Sequence, residues 1–176
     1  MGDELIAYLQ QLEIIAFFSG YPLVYAVVAT IKNTARSELS IKRTVFKLLP
    51  FVYGVTGLLY VGLQLRNFYP NYSPDHLANE IQIAFYAVWG FTSLIFFIPL
   101  LNKKPVISLL HSLVFFYLLV RSYISELSAD IPDKSVLKNY MKVYFDSIIL
   151  NVAILITLFI TYTVIRHLKR KASKNK

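Results

Sequence analysis

The sequence contains no cysteine and only three histidines among its 176 residues. The lack of cysteine excludes disulfides, thiolate metal sites, thiol redox motifs and thioether attachment of haem. Charged residues are also scarce, at 16%, whereas hydrophobic residues make up 56%. A soluble domain has about 45–50% apolar and about 25% charged residues, and the mean hydropathy of +0.54 departs in the same direction. The composition therefore predicts an integral membrane protein.

Five mostly apolar runs are long enough to cross a bilayer, which takes about 20 residues of helix. They are Leu5–Ile31, Val45–Leu65, Ile81–Leu101, Pro105–Ile124 and Met141–Ile165. These runs predict an all-α integral membrane fold, a five-helix transmembrane bundle that forms one domain over residues 1–176. The third and fourth runs are joined so closely that they should be antiparallel neighbours. Pro105 is expected in the first turn of its helix, and Asp133 is expected to cap the helix of the fifth span.

Lysine and arginine are distributed unequally along the chain, and such residues are preferentially retained on the cytoplasmic side. If the N-terminus is outside, the outer segments contain only Arg66, Lys134 and Lys138. The cytoplasmic segments then contain Lys32, Arg36, Lys42, Arg43, Lys47, Lys103, Lys104, Arg166, Lys169, Arg170, Lys171, Lys174 and Lys176. The pattern predicts an outside N-terminus and a cytoplasmic C-terminus.

Residues 166–176 form a basic tail that follows the last apolar run. Anionic lipids attract such residues by about 1 kcal/mol each, and retention in the cytoplasm is itself a sufficient reason for the charge. We therefore interpret the net charge of +8 as a sign of orientation and of contact with anionic lipid. A nucleic-acid partner is not expected.

Ionisable residues inside a span are costly, so each is a functional candidate. Glu13, Arg121 and Asp146 all fall in the outer third of their predicted spans. Two interpretations are open. The helices could bring these groups together around a polar chamber that faces outward and binds a substrate or ion, with Gln64 and Gln82 in its wall. Alternatively, the groups form a structural network or reach the headgroups by snorkelling.

Small and polar residues within the spans predict helix contacts. Asn151 lies near the centre of the fifth span, where an asparagine usually forms a hydrogen bond to a neighbouring helix. Gly54 and Gly57 share a face of the second span, and Gly90 lies in the third. We interpret these four residues as contact positions between helices.

Recognisable catalytic signatures are lacking. There is no phosphate-binding glycine loop, no HExxH motif and no GxSxG motif. His111 is the only histidine well inside a predicted span, so a haem held between two membrane histidines is not expected. His76 and Glu80 are one turn apart, but a zinc site needs a third ligand. We expect no metal, no cofactor and no enzymatic activity.

Two functions fit these observations best, ahead of a membrane enzyme that acts on lipid and a sensor whose output is carried by another chain. The first is a non-enzymatic multi-pass subunit or assembly partner of a larger membrane complex, whose partner is another membrane protein or a second copy of the chain. The second is a small transporter or channel with an outward-facing chamber around Glu13, Arg121 and Asp146. The compactness of the chain favours a bacterial inner membrane as its location.

Overall fold

The computed structural model of the protein describes residues 2–30, 36–67, 85–129 and 133–174. Every regular element within these ranges is helical. The elements are α1 Gly2–Phe18, α2 Tyr21–Thr30, α3 Arg36–Asn67, α4 Phe85–Phe91, a 3-10 helix Thr92–Phe97, α5 Pro99–Asn102, α6 Pro105–Leu127 and α7 Lys134–Lys174.

Four helical segments in the described part are long and apolar enough to cross a membrane. They are Gln11–Thr30, Lys42–Arg66, Pro105–Leu127 and Lys134–Ser173. The chain is therefore a multi-pass membrane protein by the length and composition of its helices. The third predicted span, Ile81–Leu101, is not among them, so the predicted count of five spans is not confirmed, and the predicted orientation remains a prediction.

The third predicted span, Ile81–Leu101, is not one continuous helix over its described part. It consists of α4, the 3-10 helix and α5, and Ile98 between the last two has extended backbone angles of φ −70° and ψ 127°. Pro99 explains this break, because a proline disfavours helical angles at the residue before it. Thr92 and Ser93 also donate their hydroxyls to carbonyls three residues earlier, a pattern that bends helices.

The first predicted span, Leu5–Ile31, also differs from a single helix. It is divided into α1 and α2 at Ser19 and Gly20, so that Pro22 is the second residue of α2. Proline lacks an N–H group and its ring clashes with the carbonyl four residues earlier, which here belongs to Phe18. Pro50 causes no such break, since α3 continues through it.

Both predicted helix starts are confirmed. Pro105 is the first residue of α6. Asp133 precedes α7, and its Oδ1 accepts hydrogen bonds from the Ser135 N–H and hydroxyl, each at 2.7 Å. These two bonds favour the carboxylate and lower the pKa of Asp133. Such a side-chain bond satisfies one of the free N–H groups of the first turn.

An aromatic cluster forms the centre of the bundle and joins α1, α3 and α6. The Phe18 ring stacks on Phe115 with centroids 4.6 Å apart, and it contacts Tyr53 and Tyr60 at 5.5 Å each. All four side chains are buried. Aromatic pairs of this kind contribute about 0.5–1.5 kcal/mol each beyond the area they bury.

Two of the glycines predicted to lie at helix contacts have no room for a side chain. A Cβ atom at Gly57 would overlap the Ser93 hydroxyl, and one at Gly90 would come within 2.8 Å of the Tyr60 ring. At Gly54 the nearest atoms, in the Phe97 ring, would be 3.5 Å away, which is an ordinary contact. Gly57 therefore lets the 3-10 helix approach α3 closely.

We predict that Gly57→Ala destabilises the protein by about 1–3 kcal/mol, the usual effect of overpacking. The Ser93 hydroxyl cannot turn away without losing its 2.6 Å hydrogen bond to the Gly90 carbonyl. Gly62→Ala is the matched control, because Gly62 lies on the same helix with no atom within 4 Å of its added Cβ. The midpoints of unfolding in detergent micelles, monitored by circular dichroism, compare the two variants. Equal midpoints would contradict the prediction.

Candidate functional site

The three charged residues singled out in the sequence have three different surroundings. Glu13, on α1, accepts a hydrogen bond from Gln64 Nε2 of α3 at 3.3 Å. Arg121, on α6, lines an open pocket. The Asp146 side chain is exposed on α7. Gln82 lies outside the described residues.

The pocket that contains Arg121 lies between α1, α6 and α7 at the predicted outer end of the bundle; we call it the outer pocket. It has a volume of about 380 Å³ and is lined by Gln11, Leu118, Arg121, Ser122, Ser125, Glu126 and Tyr140. Gln11 donates a short hydrogen bond to the Ser122 hydroxyl and so joins two of its walls. A guanidinium and a carboxylate in one pocket can hold groups of opposite charge on one small solute.

Glu126 also has a structural role at this end. Its Oε1 accepts a hydrogen bond from the Asp133 N–H at 3.0 Å. This contact ties the end of α6 to the start of α7, so the helices on two sides of the outer pocket are held at a fixed separation.

The fully buried Asn151 side chain is the centre of a polar contact, which we call the Asn151 junction. Its Nδ2 donates to the Phe17 carbonyl at 2.9 Å and to the Ser147 carbonyl at 2.8 Å. Its Oδ1 lies 3.1 Å from the Thr56 hydroxyl, whose one hydrogen is shared between this oxygen and the Val52 carbonyl at 3.0 Å. One amide therefore connects α1, α3 and α7, and it satisfies a carbonyl in the last turn of α1, where helical partners are missing.

The break between α1 and α2 lies against the same part of α7. The Gly20 N–H donates to the Ser147 hydroxyl at 2.8 Å. A Cβ atom at Gly20 would overlap the backbone of Ser147 and Ile148. Only glycine permits this approach, and the contact fixes the position of α7 along its own axis.

His111 is held by side chains from three other segments. Its Nδ1 lies 2.7 Å from the Tyr53 hydroxyl and its Nε2 lies 2.7 Å from the Thr92 hydroxyl. The Trp89 ring stacks on the imidazole with centroids 4.6 Å apart, and its N–H donates to the His111 carbonyl at 3.2 Å. These contacts attach α4 and the 3-10 helix to α6.

The hydrogen-bond network assigns the tautomer of His111. The Thr92 hydroxyl donates its only hydrogen to the Trp89 carbonyl at 2.7 Å, so it can only accept from His111 Nε2–H. Nδ1 then accepts from Tyr53. Both ring nitrogens are occupied in a neutral imidazole, which leaves neither of them for a metal or a substrate. The sequence indicated that His111 was unusual, but its partners are too distant along the chain to be predicted.

The Asn151 junction yields a stability prediction. We expect Asn151→Leu to destabilise the protein by about 1–3 kcal/mol, because the Phe17 carbonyl loses its Nδ2 donor in a buried setting. Thr163→Val is the control, since its exposed hydroxyl bonds only the Phe159 carbonyl of its own helix. Unfolding midpoints in micelles measure both. A leucine variant as stable as the valine variant would show that the junction contributes little.

The described ranges contain no group of three or more histidine, aspartate or glutamate residues placed to hold a metal ion. No protein-family model, curated protein or solved structure matches the chain. Its function therefore has to be inferred from its own geometry.

Proposed function

We propose that the chain is a non-enzymatic subunit of a larger membrane complex and that it assembles through the second half of α7. The proposal locates it in a membrane, with the C-terminus in the cytoplasm as the lysine and arginine distribution predicts. From the compactness of the chain, we further propose that this membrane is a bacterial inner membrane.

The observation that supports assembly is the exposure of α7. This helix has 41 residues and a length of about 60 Å, twice the hydrocarbon thickness. Only 11% of its most apolar window is buried, compared with 56% in the first span. Asn151 and Ile154 are buried, but residues 160–173 are exposed on every side. The second half of α7 is therefore covered little by the rest of the described bundle.

The exposed half of α7 carries a row of small residues suited to helix packing. Ala153, Thr157 and Thr161 are spaced four apart and all are exposed; we call them the small ridge. Helices associate in lipid through such rows, because small side chains let two backbones approach closely. The Thr157 and Thr161 hydroxyls bond carbonyls of their own helix, so the ridge has no unsatisfied hydroxyl hydrogen. The small ridge is the proposed contact surface for a transmembrane helix of a partner.

The assembly proposal predicts that Thr157→Leu combined with Thr161→Leu abolishes association. Bulky side chains would hold the partner helix away. Val152→Phe combined with Ile156→Phe is the control, since it adds bulk to exposed positions on another face. Crosslinking in cells, then purification in mild detergent and mass spectrometry, identifies the partner, which is another membrane protein or a second copy of this chain. A parent chain recovered only as a monomer would argue strongly against assembly.

The second candidate is a small transporter, and the outer pocket favours it. That pocket contains Arg121 and Glu126, which together suit a small zwitterionic solute such as an amino acid. Glu13 does not line this pocket, since it faces Gln64 of α3, but it is the proposed protonatable group. Asp146 is exposed on α7 and is not among the residues that line the pocket.

For a transporter, we predict that Arg121→Gln lowers amino-acid uptake into reconstituted vesicles by at least about tenfold. A hydrogen bond to a charged group contributes about 1.5–3 kcal/mol. Arg66→Gln removes the same charge from an exposed position on α3 and should leave uptake unchanged. Glu13→Gln should abolish proton-coupled uptake while the protein stays folded. Absence of uptake by the parent chain would eliminate this candidate.

A further inference from the structure

A second pocket opens at the other end of the bundle, between α3 and α7, where the sequence predicts the cytoplasm. We call it the basic pocket. It has a volume of about 300 Å³ and is lined by Arg43, Thr44, Lys47, Leu48, Tyr162 and Arg166. Neither proposed function uses these residues.

The charges of the basic pocket all have the same sign. Arg43 and Lys47 are four residues apart on α3, and like charges at that spacing repel each other. Arg166 adds a third positive charge from α7, and no described residue of the lining is acidic. The fold therefore concentrates cations in a space that can hold a small anion, whose binding would offset their repulsion.

The basic pocket lies at the level along the helices where lipid headgroups are expected. Arg43 and Lys47 lie at the start of the apolar segment Lys42–Arg66, and Arg166 follows the last apolar residues of α7. The adjacent side chains Tyr162 and Ile165 are 42% and 48% exposed. Tyrosine is enriched at this boundary, and the exposed apolar surface beside it is suited to an acyl chain.

We infer that the basic pocket binds the phosphate of an anionic phospholipid. The guanidinium groups of Arg43 and Arg166 can each donate two parallel hydrogen bonds to phosphate oxygens, and Lys47 supplies a third charge. Basic pockets between transmembrane helices on the cytoplasmic side bind lipid headgroups in this way. The inference assigns recognition to a built pocket, in contrast to the diffuse attraction expected of the basic tail, and it is independent of the proposed function.

The test compares two sets of three charge removals in the full chain. The pocket variant is Arg43→Gln, Lys47→Gln and Arg166→Gln, and the control is Lys169→Gln, Arg170→Gln and Lys171→Gln in the tail. Binding of fluorescent phosphatidic acid is titrated in phosphatidylcholine nanodiscs. A hydrogen bond to a charged group contributes at least about tenfold, so the pocket variant, which loses several, should bind at least about a hundredfold more weakly. The phosphatidylcholine surface is otherwise uncharged, so the diffuse attraction of the tail to an anionic surface is small and the control should change the affinity little.

Three results would overturn the inference. The first is a parent chain with no preference for phosphatidic acid over labelled phosphatidylcholine. The second is a tail variant that weakens binding as much as the pocket variant does. Inorganic phosphate could also displace the lipid at an equal concentration, which would identify a soluble phosphate as the ligand. Circular dichroism checks folding, and if the triple variant does not fold, Arg166→Gln alone should weaken binding at least about tenfold.

Discussion

The break in the first span is the constraint on which the packing of this bundle depends. Backbone groups in hydrocarbon must be satisfied within the protein, because each unsatisfied group costs several kcal/mol. The divided helix leaves groups around Phe17 and Gly20 that need partners, and α7 supplies them through Asn151 and Ser147. The break between α1 and α2 and the position of α7 therefore depend on each other.

This contact has consequences far along α7. Gly20 packs against the backbone of Ser147 and Ile148 without room for a side chain, so α7 cannot slide along its axis. Arg166 lies about 22 Å beyond Asn151 at about 1.5 Å per residue. A helix fixed at Asn151 therefore brings Arg166 to the same level as Arg43 and Lys47 of α3, where they line one pocket.

Sequence patterns predicted the features of this fold that depend on local chemistry. Apolar length indicated the four spans that the structure describes, and cap chemistry placed Asp133 before α7. The presence of a proline does not by itself predict whether a helix is interrupted, since Pro22 follows a break while Pro50 lies in a continuous helix. At the Pro22 break, side chains of α7 take the freed hydrogen bonds, and that contact is a property of tertiary structure.

The candidate sites were predicted less completely, for a related reason. The sequence indicated the depth of Glu13, Arg121 and Asp146, but depth alone does not determine which face of each helix meets a neighbour. Arg121 lines a pocket while Asp146 is exposed. The basic pocket could not be inferred from charge spacing, because Arg166 joins Arg43 only after α3 and α7 pack together.

The small ridge and the basic pocket share α7 but lie on different faces of it. At about 100° per residue, Thr161 and Arg166 point about 140° apart around the helix axis. A partner helix on the ridge and a lipid phosphate in the pocket would therefore not compete for the same surface. Because α7 is fixed against Gly20, both surfaces also keep a constant position relative to the bundle. A lipid bound at Arg166 would steady the exposed half of α7, which is the half that a partner would have to recognise.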